Sequence, residues 1–170
     1  MLNYNIVLIG FMGTGKSTIA KGLSRRFNMD IVEMDQLIVD REGMSISEIF
    51  ANKGEEYFRN LETGLLKEMQ SKSNVVISCG GGTPLRGENV AEMRKNGRVV
   101  LLTASPETIF ERVKNNHDRP LLEANKNVDF IKDMLDKRND KYMAAADIII
   151  ETDGKDREAI CNEIVDALEA

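Results

Sequence analysis

The residues with the clearest chemical purpose are Gly10-Phe11-Met12-Gly13-Thr14-Gly15-Lys16-Ser17, near the start of a chain of 170 residues. They fit G-x-x-x-x-G-K-[ST], a pattern with a physical meaning. Glycines let the backbone curl until successive N–H groups face phosphate oxygens. The lysine reaches the β- and γ-phosphates, and the hydroxyl holds Mg²⁺. The run Asn5–Ile9 just before it reads as a short buried strand, and Ser17–Leu23 carries apolar residues at helical spacing. Strand, turn and helix in that order set the loop at a helix N-terminus, where partial positive charge favours an anion. A chance glycine turn would lack the lysine, the hydroxyl and both flanking elements. Gly13, Thr14, Gly15, Lys16, Ser17 and Thr18 are therefore the expected contacts to a nucleoside triphosphate, with Ser17 directly on Mg²⁺. The loop identifies a phosphoryl donor and leaves the acceptor open.

Other residues bear on the acceptor. Asp35 follows a second short apolar run, Asp30–Met34. A carboxylate there can hold substrate hydroxyls and take the proton as oxygen attacks phosphorus, or it can simply cap the helix that follows. Arg59 has Glu62 three positions later. That spacing suits a solvated helix pair, or a carboxylate that orients a guanidinium fork toward an anion. Gly80-Gly81-Gly82 follows a buried strand at a cost in backbone entropy that makes sense where the backbone must approach something closely. Residues 115–125 are polar and without periodicity. Phosphoryl transfer needs charge on the γ-phosphate neutralised and water excluded, and an arginine on a closing loop, Arg119, would do both. The single histidine, His117, sits in the same stretch and reads as a solvated loop residue.

These residues need a frame. Composition is that of a soluble globular protein, with 42% hydrophobic and 30% charged residues. A single domain over 1–170 is expected, burying about 70% of its unfolded surface. The net charge of −5 argues against nucleic acid or an anionic membrane as partner. Cys79 and Cys161 match no metal spacing and read as reduced thiols. With no leader or membrane span in the pattern, a cytoplasmic location is expected. Short apolar runs at Asn5–Ile9, Asp30–Met34, Asn74–Ser78, Arg98–Leu102 and Ile148–Ile150 alternate with helical stretches. The helix starts include a capping box at Ser45–Glu48 and Ser105-Pro106-Glu107; Gly97 is expected to close the helix over 88–95. This alternation predicts an α/β fold with a parallel sheet covered on both faces, and ligands at the carboxyl ends of the strands. The glycine loop, Glu33, Asp35 and Gly80–Gly82 then share one crevice.

Several segments together resemble the shikimate kinase family. They are GFMGTGKST at Gly10–Thr18, EMD at Glu33–Asp35, and ISEIF and GEEYFR within Ile46–Arg59. CGGG at Cys79–Gly82, RPLL at Arg119–Leu122, and Arg138 with Tyr142 and Asp147 complete the set. The glycine loop is common to many families, whereas FR before GGG and RPLL after it is specific. The resemblance implies a five-stranded P-loop fold of order 2-3-1-4-5, with helices on both faces and a mobile lid at about 113–125. It implies transfer of the ATP γ-phosphoryl group to the 3-hydroxyl of shikimate with Mg²⁺, in the route to chorismate and the aromatic amino acids. A monomer is expected.

The family roles fall on particular residues. Asp35, Lys16 and Arg119 would be catalytic, and Arg112 and Arg119 would join the nucleotide contacts, Arg112 by stacking on adenine. Asp35, Arg59, Gly80, Gly81, Gly82 and Arg138 would hold shikimate, within a binding region at about 33–62. Phe58 would pack on the carbocycle or belong to the core. Two departures stand out. Glu33 replaces a more usual aspartate that approaches Mg²⁺ through water, and its extra methylene allows direct or looser coordination. The sequence around Arg138 reads RNDKY where the family has R-x-P-L-Y, so the helix end should shift. The competing functions are another small-molecule P-loop kinase, for gluconate or a nucleoside monophosphate, and a non-catalytic nucleotide-binding module.

Overall fold

A computed structural model describes residues 2–114 and 127–170. The apolar run Asn5–Ile9 forms β1, buried along its whole length. It lies in the middle of a five-stranded parallel sheet completed by β2 (Asp30–Glu33), β3 (Val75–Ser78), β4 (Gly97–Thr103) and β5 (Ile148–Glu151), in the order β2-β3-β1-β4-β5. Val7 pairs with Ile77 on one side and Val99 on the other. Alternation along β1 divides the core. Ile6 and Leu8 face α1 (Lys16–Phe27) and α8 (Arg157–Glu169), among Ile19, Leu23, Ile160 and Ile164. Val7 and Ile9 face the other layer, among Met34, Ile38, Phe58, Leu66, Met93 and Ile131. That layer holds α2 (Met34–Glu42), α3 (Ile46–Lys53), α4 (Glu55–Met69), α5 (Gly87–Lys95), α6 (Pro106–Val113) and α7 (Val128–Ala145). Both faces of a parallel sheet need such cover, so its strands read as near-continuous apolar runs.

Helix starts follow the expected side-chain chemistry. Ser45 Oγ accepts from Glu48 N–H at 3.1 Å while Glu48 Oε1 accepts from Ser45 N–H at 3.3 Å, completing the capping box of α3. Ser105 caps α6 through Thr108 N–H, and Asn127 caps α7 through Phe130 N–H. Among the described residues no helix is long and apolar enough to cross a membrane.

Two local expectations change, at the end of the second strand and at Gly97. The second strand ends at Glu33, and the fully buried Met34 opens α2 instead of closing β2. Asp35 is therefore inside the first turn, and Glu33 holds the cap position. Gly97 starts β4 opposite Asn5 instead of closing α5. A Cβ there would meet Met93 O at 2.6 Å and Val7 Cγ2 at 2.9 Å, so close packing calls for the glycine. A 3₁₀ turn at Thr83–Leu85, with Pro84 inside it, follows the triple glycine. Residues 115–125 of the expected lid, with Arg119 and His117, lie outside the described residues.

Asn5 opens the central strand with a buried side chain that joins three segments. Its Nδ2 donates to Met69 O at 3.3 Å and Lys72 O at 3.0 Å, and its Oδ1 accepts from Val75 N–H at 3.1 Å. Asn5→Ala strands these groups and should destabilise the fold by about 1–3 kcal/mol in urea unfolding. The Michaelis constants at 25 °C should be unchanged, because no proposed ligand contact is touched.

Candidate active site

The phosphate loop spans from the end of β1 to the start of α1. Gly13 (φ 82°) and Gly15 (φ 96°) occupy the left-handed region that side chains disfavour, so the curl depends on glycine at both positions. The Thr14 hydroxyl is turned inward, donating to Phe11 O at 2.7 Å, so it shapes the loop. Lys16 Nζ arches over the loop and donates to Gly10 O at 2.8 Å and Phe11 O at 3.1 Å. Ser17 and Thr18 are exposed on the first turn of α1. That turn has no acidic residue and no side-chain cap, which leaves its first N–H groups available to an anion.

Arg112, in the last turn of α6, donates to Gly13 O at 2.9 Å and to Thr152 Oγ1 at 3.2 Å. It thereby ties the loop to the segment after β5. A cavity of about 220 Å³ opens there, lined by Gly15, Thr18, Ile19, Arg112, Thr152 and Ile160 among others. An apolar floor beside a guanidinium suits a flat aromatic ring continuing from the phosphates.

The other half of the crevice is built on the glycine turn. A Cβ on Gly80 would meet Asp35 Oδ1 at 2.8 Å. On Gly81 it would meet Arg138 Nη1 at 3.4 Å, and on Gly82 Arg59 Nη1 at 2.5 Å. None of the three has a positive φ, so torsion does not call for glycine; space does at Gly80 and Gly82, whereas at Gly81 a Cβ would only reach the edge of ordinary contact. Each glycine lies under a different one of the three charged side chains expected to hold an acceptor. The glycines expected to admit a ligand also make room for Asp35 at Gly80 and Arg59 at Gly82, with Arg138 packed beside Gly81.

Those side chains arrive from three helices. Arg59, on α4, donates to Glu62 Oε1 at 2.8 Å. Glu62 is 0% exposed, which rules out a solvated surface pair. Burial pushes the Glu62 carboxyl above its ordinary range, and the charge of Asp35 adds to that. The Arg59 charge and hydrogen bonds from Thr83 and Arg59 oppose it. Arg138, on α7, is buried, with Nη1 donating to Tyr142 Oη at 3.4 Å and its guanidinium 5.5 Å from the Phe11 ring centre. Tyr142 in turn donates to Gly81 O at 2.7 Å, and burial raises its phenol. Without the proline of the family pattern, α7 continues past Tyr142 to Ala145. Phe58 belongs to the core: it is buried, with its ring edge-to-face on Phe50 at 5.3 Å.

Glu33 is half-buried at the cap of α2, and its side chain makes no capping bond. Among the described residues no three His, Cys, Asp or Glu side chains converge as a preformed metal cage. The donor set beside the loop, one hydroxyl and one carboxylate, suits a Mg²⁺ held largely by phosphate oxygens and water. Both cysteines are free and buried, and burial raises both thiols, so neither is a reactive thiolate. Thr83 and Asn89, buried behind the glycine turn, escaped sequence reasoning because no motif marks them.

The family model "SKI: Shikimate kinase" matches residues 12–169. The shikimate kinase of Persephonella marina is 44% identical over 95% of this chain and 96% of that protein. The shikimate kinase of Acinetobacter baumannii, solved in complex with shikimate, superposes with a TM-score of 0.93 at 30% identity, covering 98% of this chain and 93% of that one. The shikimate kinase of Aquifex aeolicus superposes at 0.84 with 41% identity, covering 97% and 96%.

Glu62 makes stability depend on pH. With its folded-state value raised, the folded chain holds a proton over a window, starting from the ordinary carboxyl value of 4.5, in which the unfolded chain has released it. Stability contributed at this site is thus lost as pH rises through that window. The unfolding free energy of the wild type, relative to Glu62→Gln, should fall as pH is raised there. A difference that is flat with pH would contradict the burial argument.

Proposed function

The chain belongs to the shikimate kinase family, and we propose that it transfers the γ-phosphoryl group of ATP to the 3-hydroxyl of shikimate through the residues gathered at the glycine turn. The observation that carries this reading is the convergence of Asp35, Arg59 and Arg138 on three consecutive glycines beside the phosphate loop. One carboxylate and two guanidinium groups match an acceptor that has hydroxyls and a carboxylate. Arg59 and Arg138 would grip the carboxylate with planar forks. Asp35 would accept hydrogen bonds from the ring hydroxyls and take the proton from the attacking oxygen. The backbone of Gly80–Gly82 lets the acceptor come within reach of the phosphate.

On the donor side, Gly13, Thr14 and Gly15 would wrap the phosphates, with Thr18 on the same first turn. Lys16 would exchange its carbonyl partners for β- and γ-phosphate oxygens. Arg112 would stack on the base. Ser17 would hold Mg²⁺ directly, with Glu33 on its outer side, and the bound ion would supply neutralisation of the β- and γ-oxygens. Arg119 retains its family role as a γ-phosphate contact of the lid on sequence alone. ATP and shikimate are the partners implied, acting in one domain, with a monomer as the expected state. A gluconate or nucleoside monophosphate kinase would share the P-loop fold without the Arg59, triple-glycine and Arg138 arrangement.

ADP release with Mg-ATP against shikimate, gluconate and each nucleoside monophosphate tests the proposal. Turnover is expected with shikimate, lost on chelation and restored by Mg²⁺. Turnover with gluconate or AMP but none with shikimate would overturn it, as would tight ATP binding without any turnover. Lys16→Ala should abolish activity. Arg59→Ala should weaken shikimate binding by about 2–5 kcal/mol, the cost of leaving a buried charge unpaired; a change confined to the ATP KM would assign Arg59 to the wrong substrate.

A further inference from the structure

Glu62 has two oxygens and, among the described side chains, one donor on each. Oε1 accepts from Arg59, and Oε2 accepts from the Thr83 hydroxyl at 2.5 Å. Thr83 is fully buried and held at three points. Its N–H donates to Gly80 O at 3.1 Å, closing the glycine turn. Its carbonyl accepts from Asn89 Nδ2 at 2.9 Å, and Asn89 Oδ1 accepts from the Thr63 hydroxyl at 2.6 Å. Thr63 follows Glu62 on α4, so the hydrogen bonds form a closed ring from α4 through the 3₁₀ turn and α5 back to α4. Asn89 and Thr63 are buried as well. A ring of buried, mutually satisfied groups has little freedom to adopt a second arrangement.

We propose that Thr83 is a positioning residue for the acceptor: its hydroxyl fixes the Glu62 carboxylate in the one orientation that presents Arg59 to the acceptor's carboxylate. This rests on the reading that Arg59 grips shikimate. A valine has the shape of threonine but donates nothing, so Glu62 Oε2 would be buried without its donor and the carboxylate would be free to turn. Arg59, set by Oε1, would lose its aim. Asp35 on α2 and Cys79 just after β3 lie near enough to feel the same carboxylate's charge. Loss of the hydroxyl also removes one of the bonds that favour ionised Glu62, so its ionisation moves to higher pH.

The test compares Thr83→Val, Thr83→Ser and Arg59→Ala with the wild type in steady-state kinetics across pH. Thr83→Val should raise the shikimate KM about ten-fold, as expected for a lost hydrogen bond to a charged group, with the ATP KM within about two-fold. The acidic limb of kcat/KM for shikimate should shift to higher pH. Thr83→Ser, which restores the hydroxyl, should return both to wild-type values. A folded Thr83→Val with unchanged shikimate KM and unchanged acidic limb would overturn the proposal. So would a defect that Thr83→Ser fails to rescue. If Thr83→Val does not fold by circular dichroism, Thr83→Ala gives the same readouts without adding a methyl. If Arg59→Ala itself leaves the shikimate KM unchanged, the role of Arg59 is wrong; if Arg59→Ala raises it and the hydroxyl-free variants do not, only the role of Thr83 is wrong.

Discussion

Three charged side chains rest on three consecutive α-carbons, and the crevice is organised by that contact. Asp35 lies against Gly80, Arg138 against Gly81 and Arg59 against Gly82. Neighbouring α-carbons are about 3.8 Å apart, so one anion and two cations are gathered over a short length of backbone. A methyl group at Gly80 or Gly82 would occupy the space of a carboxylate or a guanidinium.

Charges removed from water in this way need compensation. Arg59 and Arg138 are held where water is scarce, and each has a neighbour that offsets the loss. Arg138 lies over the Phe11 ring and donates to Tyr142, which is itself tied to Gly81. Arg59 has the fully buried Glu62. A buried ion pair is weak evidence for stability, since desolvation can exceed the attraction between the charges. The pair makes more sense as a way to aim a guanidinium while keeping its outer edge available to an anion.

The two halves of the crevice meet at β1. This strand has β3 on one side and β4 on the other, so consecutive connections leave the sheet in opposite directions around it. In open parallel sheets that is where a cleft forms at the carboxyl ends. The phosphate loop extends from β1 and the glycine turn from β3, its neighbour. Phe11 belongs to the first, and Arg138, which packs beside Gly81 of the second, has its guanidinium 5.5 Å from the Phe11 ring centre. Proximity of donor and acceptor therefore follows from strand order, before any ligand is considered.

Much of this was legible in the residues themselves. Local chemistry determined the phosphate loop, the capping box at Ser45, the cap at Ser105 and the five strands. Each depends on residues close in the chain, and so does the family pattern, which carried Asp35, Arg59 and Arg138 into the site. Strand ends were less legible: Met34 reads equally as the last residue of a strand or the first buried residue of a helix, and only packing decides. What the tertiary structure alone decided is why the three glycines are there, and that Glu62 is buried with Thr83 behind it. Those facts depend on α2, α4 and α7 converging on one turn from distant parts of the chain, and no spacing along the sequence records a distance in space.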